Sequence, residues 1–378
     1  MRLELFDLRP QHELLNVELR RAFDRVVRSG AFILGDEVAS FERACTEYLG
    51  SKYSVGLSSG SDALYLALKA LDIGPGDEVI TTPFTFIATA EAIVRAGATP
   101  VFADIRPSDF CLCPESTSRL ISARTRAILY VHLYGKTGSI REQLNLCKSH
   151  DVYLIEDACQ AFGAQTEGRF AGTFGDIGCF SFFPTKPLGG LGDGGLCVTD
   201  RPELEQRLRQ LRTHGFNTAQ LSDSVAGNFR LDALQAALLS AKLPYVDTFR
   251  QTRAAIADSY HAALGQLGSV VTPMTPDRQA KSAWSLYTVS VSANREGLKR
   301  HLATAGIDSR VYYPTLLPDH PSLAHRCRRG DLTQAHRATE TVLSIPIYYG
   351  LDEEQRTHIA ASIVNWCEQS TARRASHA

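Results

Sequence analysis

The stretch CFSFFPTKPLGGLGDGG, from Cys179 to Gly195, sets one lysine, Lys186, between an aromatic run and a glycine-rich loop. Three roles are open to it. It could hold a phosphate, it could be a solvated loop residue, or it could be a covalent catalyst. Residues 190–195 formally match G-x-G-x-x-G, but LCVTD follows, which reads as a strand and not as the helix a dinucleotide fingerprint requires. A P-loop signature is also missing. A lysine that leaves an aromatic strand is open to desolvation, which favours the neutral amine. A neutral amine is the nucleophile that forms a Schiff base.

Three further constellations carry chemistry. Ser58-Ser59-Gly60-Ser61-Asp62-Ala63-Leu64 joins a predicted strand to a predicted helix. Its small residues and free helix N–H groups suit a phosphate, and equally a plain serine N-cap. Asp157 and Gln160, in LIEDACQAFG, follow an apolar strand. A carboxylate there could hold a protonated ring nitrogen, or serve as a helix cap or structural ion pair. In TPFTFIATA, residues 82–90, an aromatic side chain could cover the face of a planar ring or simply fill the core. Each item has a bland alternative. Together they supply what pyridoxal phosphate needs: a phosphate cradle, an acid for the ring nitrogen, a lysine for the aldehyde and an aromatic face.

Elements must position these groups. Strand candidates fall at 54–58, 78–82, 100–103, 127–133, 152–156, 177–183 and 195–199. Most are apolar on both faces, as in a buried, mostly parallel sheet. Helical patterns at 62–71 and 87–96 alternate with them, which predicts an α/β fold with helices on both sides of the sheet. The alternation fades after Lys242. Beyond Leu243-Pro244-Tyr245 the pattern predicts a helix over 246–267, an exposed loop TPMTPDRQAKS, a strand over 283–291, a helix over 295–305 and an extended segment at 310–313. That fits a large domain at 1–245 and a smaller α+β domain at 246–378, with a frayed tail from Ser370.

Composition excludes several classes. The net charge is −1, which gives no basic face for nucleic acid. No apolar run reaches the ~20 residues needed to span a bilayer, and the opening MRLELFDLRPQHELL lacks a signal-peptide core. The 9 cysteines are scattered and odd in number, and Cys111-Leu112-Cys113 lacks zinc-site spacing, so no metal site is expected. Reduced, mostly buried thiols in a cytoplasmic protein are the simplest reading.

The chain resembles the DegT/DnrJ/EryC1/StrS family of sugar aminotransferases. The likeness runs through FILGDEVASFE, SSGSDALYLAL, GPGDEVITTPFTFIATAEAI, LIEDACQAFGA, SFFPTKPLGGLGDGG, GNFRLDALQAALL and RVYYP. It implies the type I fold of pyridoxal-phosphate transferases, with a mostly parallel seven-stranded sheet. It also implies roles. Lys186 would bind the cofactor and carry the proton, and Asp157 would pair with the ring nitrogen. Gln160 would approach the phenolic oxygen, and Phe86 would stack on the ring. Gly60, Ser61 and Ser181 would hold the phosphate. Asn228 would reach the phosphate in the other subunit of a homodimer with shared sites.

The resemblance also bears on substrate. Members acting on 4-keto sugars often carry a histidine after the strand serine and a glutamate before the paired glycines. Here the residues are Phe182 and Asp193, which look more like members that aminate a 3-keto sugar nucleotide, UDP- or TDP-linked. Arg230, in NFRLD, points to an anionic sugar or diphosphate, or to a structural salt bridge. Two departures stand out. Pro187 follows the lysine where asparagine is frequent, and Tyr312-Tyr313-Pro314 replaces a frequent His-Tyr-Pro. Tyr312, Tyr313 and His320 are candidate substrate contacts. L-Glutamate is the expected amino donor. The rivals are a 4-keto enzyme, a sugar dehydratase, whose relatives have histidine where Lys186 stands, and a non-enzymatic regulator.

Overall fold

The computed structural model describes residues 2–268, 271–273, 280–292 and 294–375. Its main sheet has eight strands in the order Tyr53–Leu57, Gly195–Thr199, Ile177–Ser181, Tyr153–Asp157, Thr125–Val131, Glu78–Thr81, Thr99–Phe102, Arg328–Arg329. The strand Gly195–Thr199 runs antiparallel to both neighbours, and the other pairings are parallel. All seven expected strands are present. The eighth is a two-residue strand from the C-terminal half, whose charged sequence gives no strand signal.

Strand residues such as Val79, Ile80, Ile128, Leu129 and Ile155 have no exposed surface, because helices pack on both faces. Parallel strands covered in this way must be apolar throughout. One core cluster runs from these strands into the C-terminal half, through Tyr260, Tyr287 and Ile345. A second joins the helices Asn16–Ser29, Gly35–Leu49 and Ala233–Lys242 to Phe180 and Phe182.

The C-terminal half holds an antiparallel sheet of Val271–Pro273, Tyr287–Val291 and Val342–Ile345, with the helices Val246–Leu264, Arg295–Thr304 and Glu353–Ala375. The segment 283–285, expected as strand, instead bonds to a turn. Ala283 N–H donates to Gly135 O at 2.9 Å and Ser285 N–H to Tyr134 O at 3.2 Å. The last helix reaches Ala375, past the expected fraying point. Residues 274–279 of the expected loop lie outside the described residues. All nine cysteines are free thiols. Among the described residues, no helix is long and apolar enough to cross a membrane.

Alternation along one strand gives Glu156 and Asp157 opposite faces. Glu156 has no exposed surface. It accepts from the N–H groups of Gly172, Phe174 and Gly175 at 2.8, 2.6 and 2.6 Å. His132 Nε2 lies 2.8 Å from it. This carboxylate pins the loop behind the strand that presents Asp157. Glu156→Ala would leave several buried donors without an acceptor. We expect a loss of about 3 kcal/mol or more in urea unfolding. A loss below about 1 kcal/mol would show that water replaces the carboxylate.

Candidate active site

The carboxyl ends of the parallel strands converge on one cavity. Val131, Asp157 and Ser181, each the last residue of its strand, all line it. That edge is where open α/β sheets bind ligands. The cavity measures about 430 Å³. It is also lined by Gly60, Ser61, Phe86, Gln160, Lys186, Tyr312 and Tyr313, which brings together nine of the twelve residues singled out in the sequence.

Asp157 is buried and fixed on both oxygens. Thr89 Oγ1 donates to Oδ2 at 2.9 Å and Cys159 N–H donates to Oδ1 at 3.2 Å. Gln160 is held between two tyrosines. Its Oε1 accepts from Tyr134 N–H at 2.9 Å, and its Nε2 donates to Tyr313 Oη at 3.2 Å. Burial pushes the Tyr313 phenol well above its ordinary range, so it stays protonated.

Lys186 sits five residues past the end of Ile177–Ser181, in a turn closed by its own N–H donating to Phe183 O at 2.8 Å. The strand therefore ends two residues earlier than expected. The side chain lines the cavity and has no hydrogen-bond or ion-pair partner among the described residues. Burial lowers its pKa, while Cys159 and Asp157 act in the opposite direction.

The helix Gly60–Ala70 starts at the cavity wall. Ser59 is its N-cap and accepts from Asp62 N–H at 3.1 Å, so the capping reading holds for Ser59. The first N–H groups of the helix still face a ligand position. A Cβ on Gly60 would lie 2.6 Å from Ser181 Cβ and 2.9 Å from Cys159 Sγ, so only glycine lets the helix start this close to the strand end. The glycines at 189–195 serve packing within the protein. None lines the cavity, and their close approaches are to Pro184, Ser59 and other protein atoms. From that loop only Asp193 reaches the cavity. Phe86 is 56% exposed at the cavity, while Phe84 is core and packs edge-on against Tyr313.

Asn228, Arg230 and His320 do not line the cavity of their own chain. Arg230 bridges to Leu57 at the sheet edge, and Asn228 is exposed beside it. His320 follows a short turn whose Leu317 N–H donates to Pro83 O at 2.9 Å. Sequence reasoning missed Phe6, Thr89, Cys159 and Ser285. Thr89 and Cys159 sit inside quoted motifs. Phe6 and Ser285 come from remote segments with no local signal.

A cofactor that is basic at one end of its ring, electrophilic in the middle and anionic at its tail would use every wall of this cavity. Asp157, the free Lys186 amine and the helix start at Gly60 answer those three needs, so the residues fit pyridoxal phosphate. The protein is a pyridoxal-phosphate-dependent aminotransferase. The model of the DegT/DnrJ/EryC1/StrS aminotransferase family matches residues 14–364, and the chain belongs to that family.

Among its relatives is a UDP-N-acetyl-3-dehydro-α-D-glucosamine 3-aminotransferase of Acidithiobacillus ferrooxidans. It is 40% identical over 361 residues, covering 95% of this chain and 96% of the relative. A pleiotropic regulatory protein of Geobacillus stearothermophilus is 39% identical over 373 residues, covering 97% of this chain and 99% of the relative. The crystal structure of S. venezuelae DesV in complex with a ketimine intermediate superposes with a TM-score of 0.93. It shares 37% identity and covers 97% of this chain and 99% of that one.

Lys186 gives a pH-dependent stability test on the cofactor-free protein. A buried lysine with a lowered pKa costs stability wherever it must carry charge. The cost is present below the lowered value and fades as pH approaches the ordinary 10.5, where folded and unfolded forms are both neutral. Lys186→Met should therefore melt higher than the natural chain at neutral pH, with the gain shrinking toward pH 10.5. A gain of the same size at every pH would contradict desolvation as its cause.

Proposed function

We propose that the protein moves an amino group from L-glutamate to the 3-keto carbon of a UDP- or TDP-linked sugar, in two half-reactions at one site. The observation that carries this reading is the unpartnered Lys186 amine facing a cavity whose walls include Asp157 and the start of Gly60–Ala70. The 3-keto assignment is supported by Phe182 and Asp193 in the lysine loop. It is also supported by the Acidithiobacillus relative, named as a 3-aminotransferase.

Pyridoxal phosphate, when bound, supplies an electrophilic carbon and an electron-withdrawing ring. The chain's residues do the rest. Lys186 would hold it covalently and would carry the proton in both half-reactions, which needs an amine that is easily neutral. Asp157 keeps the ring nitrogen protonated, and Thr89 and Cys159 hold it in place for that. Gln160 has a second Nε2 hydrogen free for the phenolic oxygen, since its other donor and its acceptor are used by the two tyrosines. Gly60 and Ser61 N–H groups and the Ser181 hydroxyl bind the phosphate. Phe86 covers one ring face. Tyr312, Tyr313, Arg230 and His320 are the sugar-side candidates. Of these, the first two line the cavity.

Residues 1–245 act as the cofactor-binding unit and 246–378 as a smaller α+β unit that closes the site. The small sheet and its helices support that division, while Leu3 and Arg328–Arg329 cross it. The working form is a homodimer. Phe86, Phe183 and Leu191 are exposed at or near the cavity, with Phe32 and Ile33 exposed where that segment meets Asp232 and Ala233. Exposed apolar patches of this kind mark protein interfaces. Asn228, exposed beside them, serves the partner's phosphate. Nine free thiols favour a reducing compartment, the cytoplasm. A regulatory role is the second reading, favoured by the name of the Geobacillus relative. DNA binding measured across salt concentrations tests it.

Two results check these assignments. Lys186→Ala should abolish turnover, and substantial glutamate-dependent turnover by that variant would sink the assignment. Hybrids made by co-refolding inactive Lys186→Ala with an inactive Asn228→Asp variant should regain activity, because one of their two sites is then intact. No recovery would place the phosphate contacts within a single chain.

A further inference from the structure

A second, small cavity of about 20 Å³ lies beside the main one and shares Phe6, Thr185, Lys186 and Ser285 with it. Two buried polar atoms on its walls lack partners among the described residues. Arg253, on the helix Val246–Leu264, is 5% exposed. Its Nε donates to Ala283 O at 2.8 Å, and its Nη2 has no acceptor. Ser285 is 9% exposed, and its Oγ is also without a partner. Among the described residues, no carboxylate pairs with the guanidinium. Burial and the neighbouring Arg250 push it down to about 10, opposed by Tyr48. A buried cation without a counter-ion is costly to the fold. Its retention beside the reactive lysine marks a place for an anion that comes and goes.

The size and position of the cavity narrow the choice of anion. The space has room for about one water-sized group, such as a water molecule or a carboxylate oxygen. Gly60, Ser61 and Ser181 line only the main cavity, so a phosphate held there is not a candidate for this site. Lys186 lines both cavities. The donor carbon that gives up its proton must come to the Lys186 amine, and the carboxylate one bond from that carbon then lies beside a residue that lines the small cavity as well as the main one.

We propose that Arg253 Nη2 and Ser285 Oγ bind the α-carboxylate of the amino-acid donor and of the keto acid it becomes. This rests on the aminotransferase reading above. The donor side chain then extends into the main cavity. A ketosugar has no carboxylate on its carbonyl carbon, so the small cavity holds water in the second half-reaction. The site distinguishes amino acids from other amines, and it does so apart from the groups that meet the sugar.

Three donors separate the contributions. L-Glutamate and 4-aminobutanoate share the distal carboxylate and differ in the α-carboxylate. L-2-Aminobutanoate keeps the α-carboxylate and lacks the distal one. With pyridoxal-phosphate-loaded protein, the natural chain should prefer L-glutamate over 4-aminobutanoate by about 100-fold or more in single-turnover rate. Arg253→Gln and Ser285→Ala should each cut that preference and leave the preference over L-2-aminobutanoate in place. Calorimetric binding of 2-oxoglutarate should weaken at least about tenfold in Arg253→Gln. If Arg253→Gln does not fold, Ser285→Ala, which removes one hydroxyl, carries the test. An unchanged preference in the folded variants overturns the proposal. So does a loss confined to the L-2-aminobutanoate comparison, which would assign the cavity to the distal carboxylate. If the natural chain converts none of the three donors, the aminotransferase reading fails instead.

Discussion

On the proposed function, the site depends on keeping the Lys186 amine uncharged enough to react while Asp157 acts on it electrostatically. Lys186 has no ion-pair partner among the described residues and is desolvated, which favours its neutral form. Asp157 pulls the other way but is occupied by Thr89 Oγ1 and Cys159 N–H. Had a free carboxylate stood beside the lysine, the ion pair would hold the proton and the nucleophile would be lost. The fold therefore positions acid and amine on different walls of one cavity.

The sheet provides that separation. Val131, Asp157 and Cys179 are register partners across three adjacent parallel strands, so a slip of one residue would turn Asp157 into the core and Glu156 toward the cavity. Glu156 guards against the slip, because its oxygens are already committed to three backbone N–H groups. The close contact of Gly60 with Ser181 then ties the helix start to the neighbouring strand end.

Much of this was legible in the sequence for a physical reason. Buried parallel strands must be apolar on both faces, and the seven main strands announce themselves in that way. Lys186, Asp157 and Gly60 follow or flank such strands directly, so locating the strands located the chemistry. Other parts left no local trace. The strand Arg328–Arg329 joins the sheet through backbone pairing and its ion pair to Glu78, although its side chains are charged. Ser285 and Arg253 reach the site by tertiary packing from segments whose own patterns read as strand and helix.

The proposal that Lys186 holds pyridoxal phosphate and passes an amino group through it has a direct spectroscopic test. The visible absorption spectrum of the loaded protein, recorded before and after adding L-glutamate, tests this most directly. A band from the lysine-bound cofactor should give way to the band of pyridoxamine phosphate. A protein that shows no cofactor band with added pyridoxal phosphate, or whose band is untouched by amino acids, would contradict it.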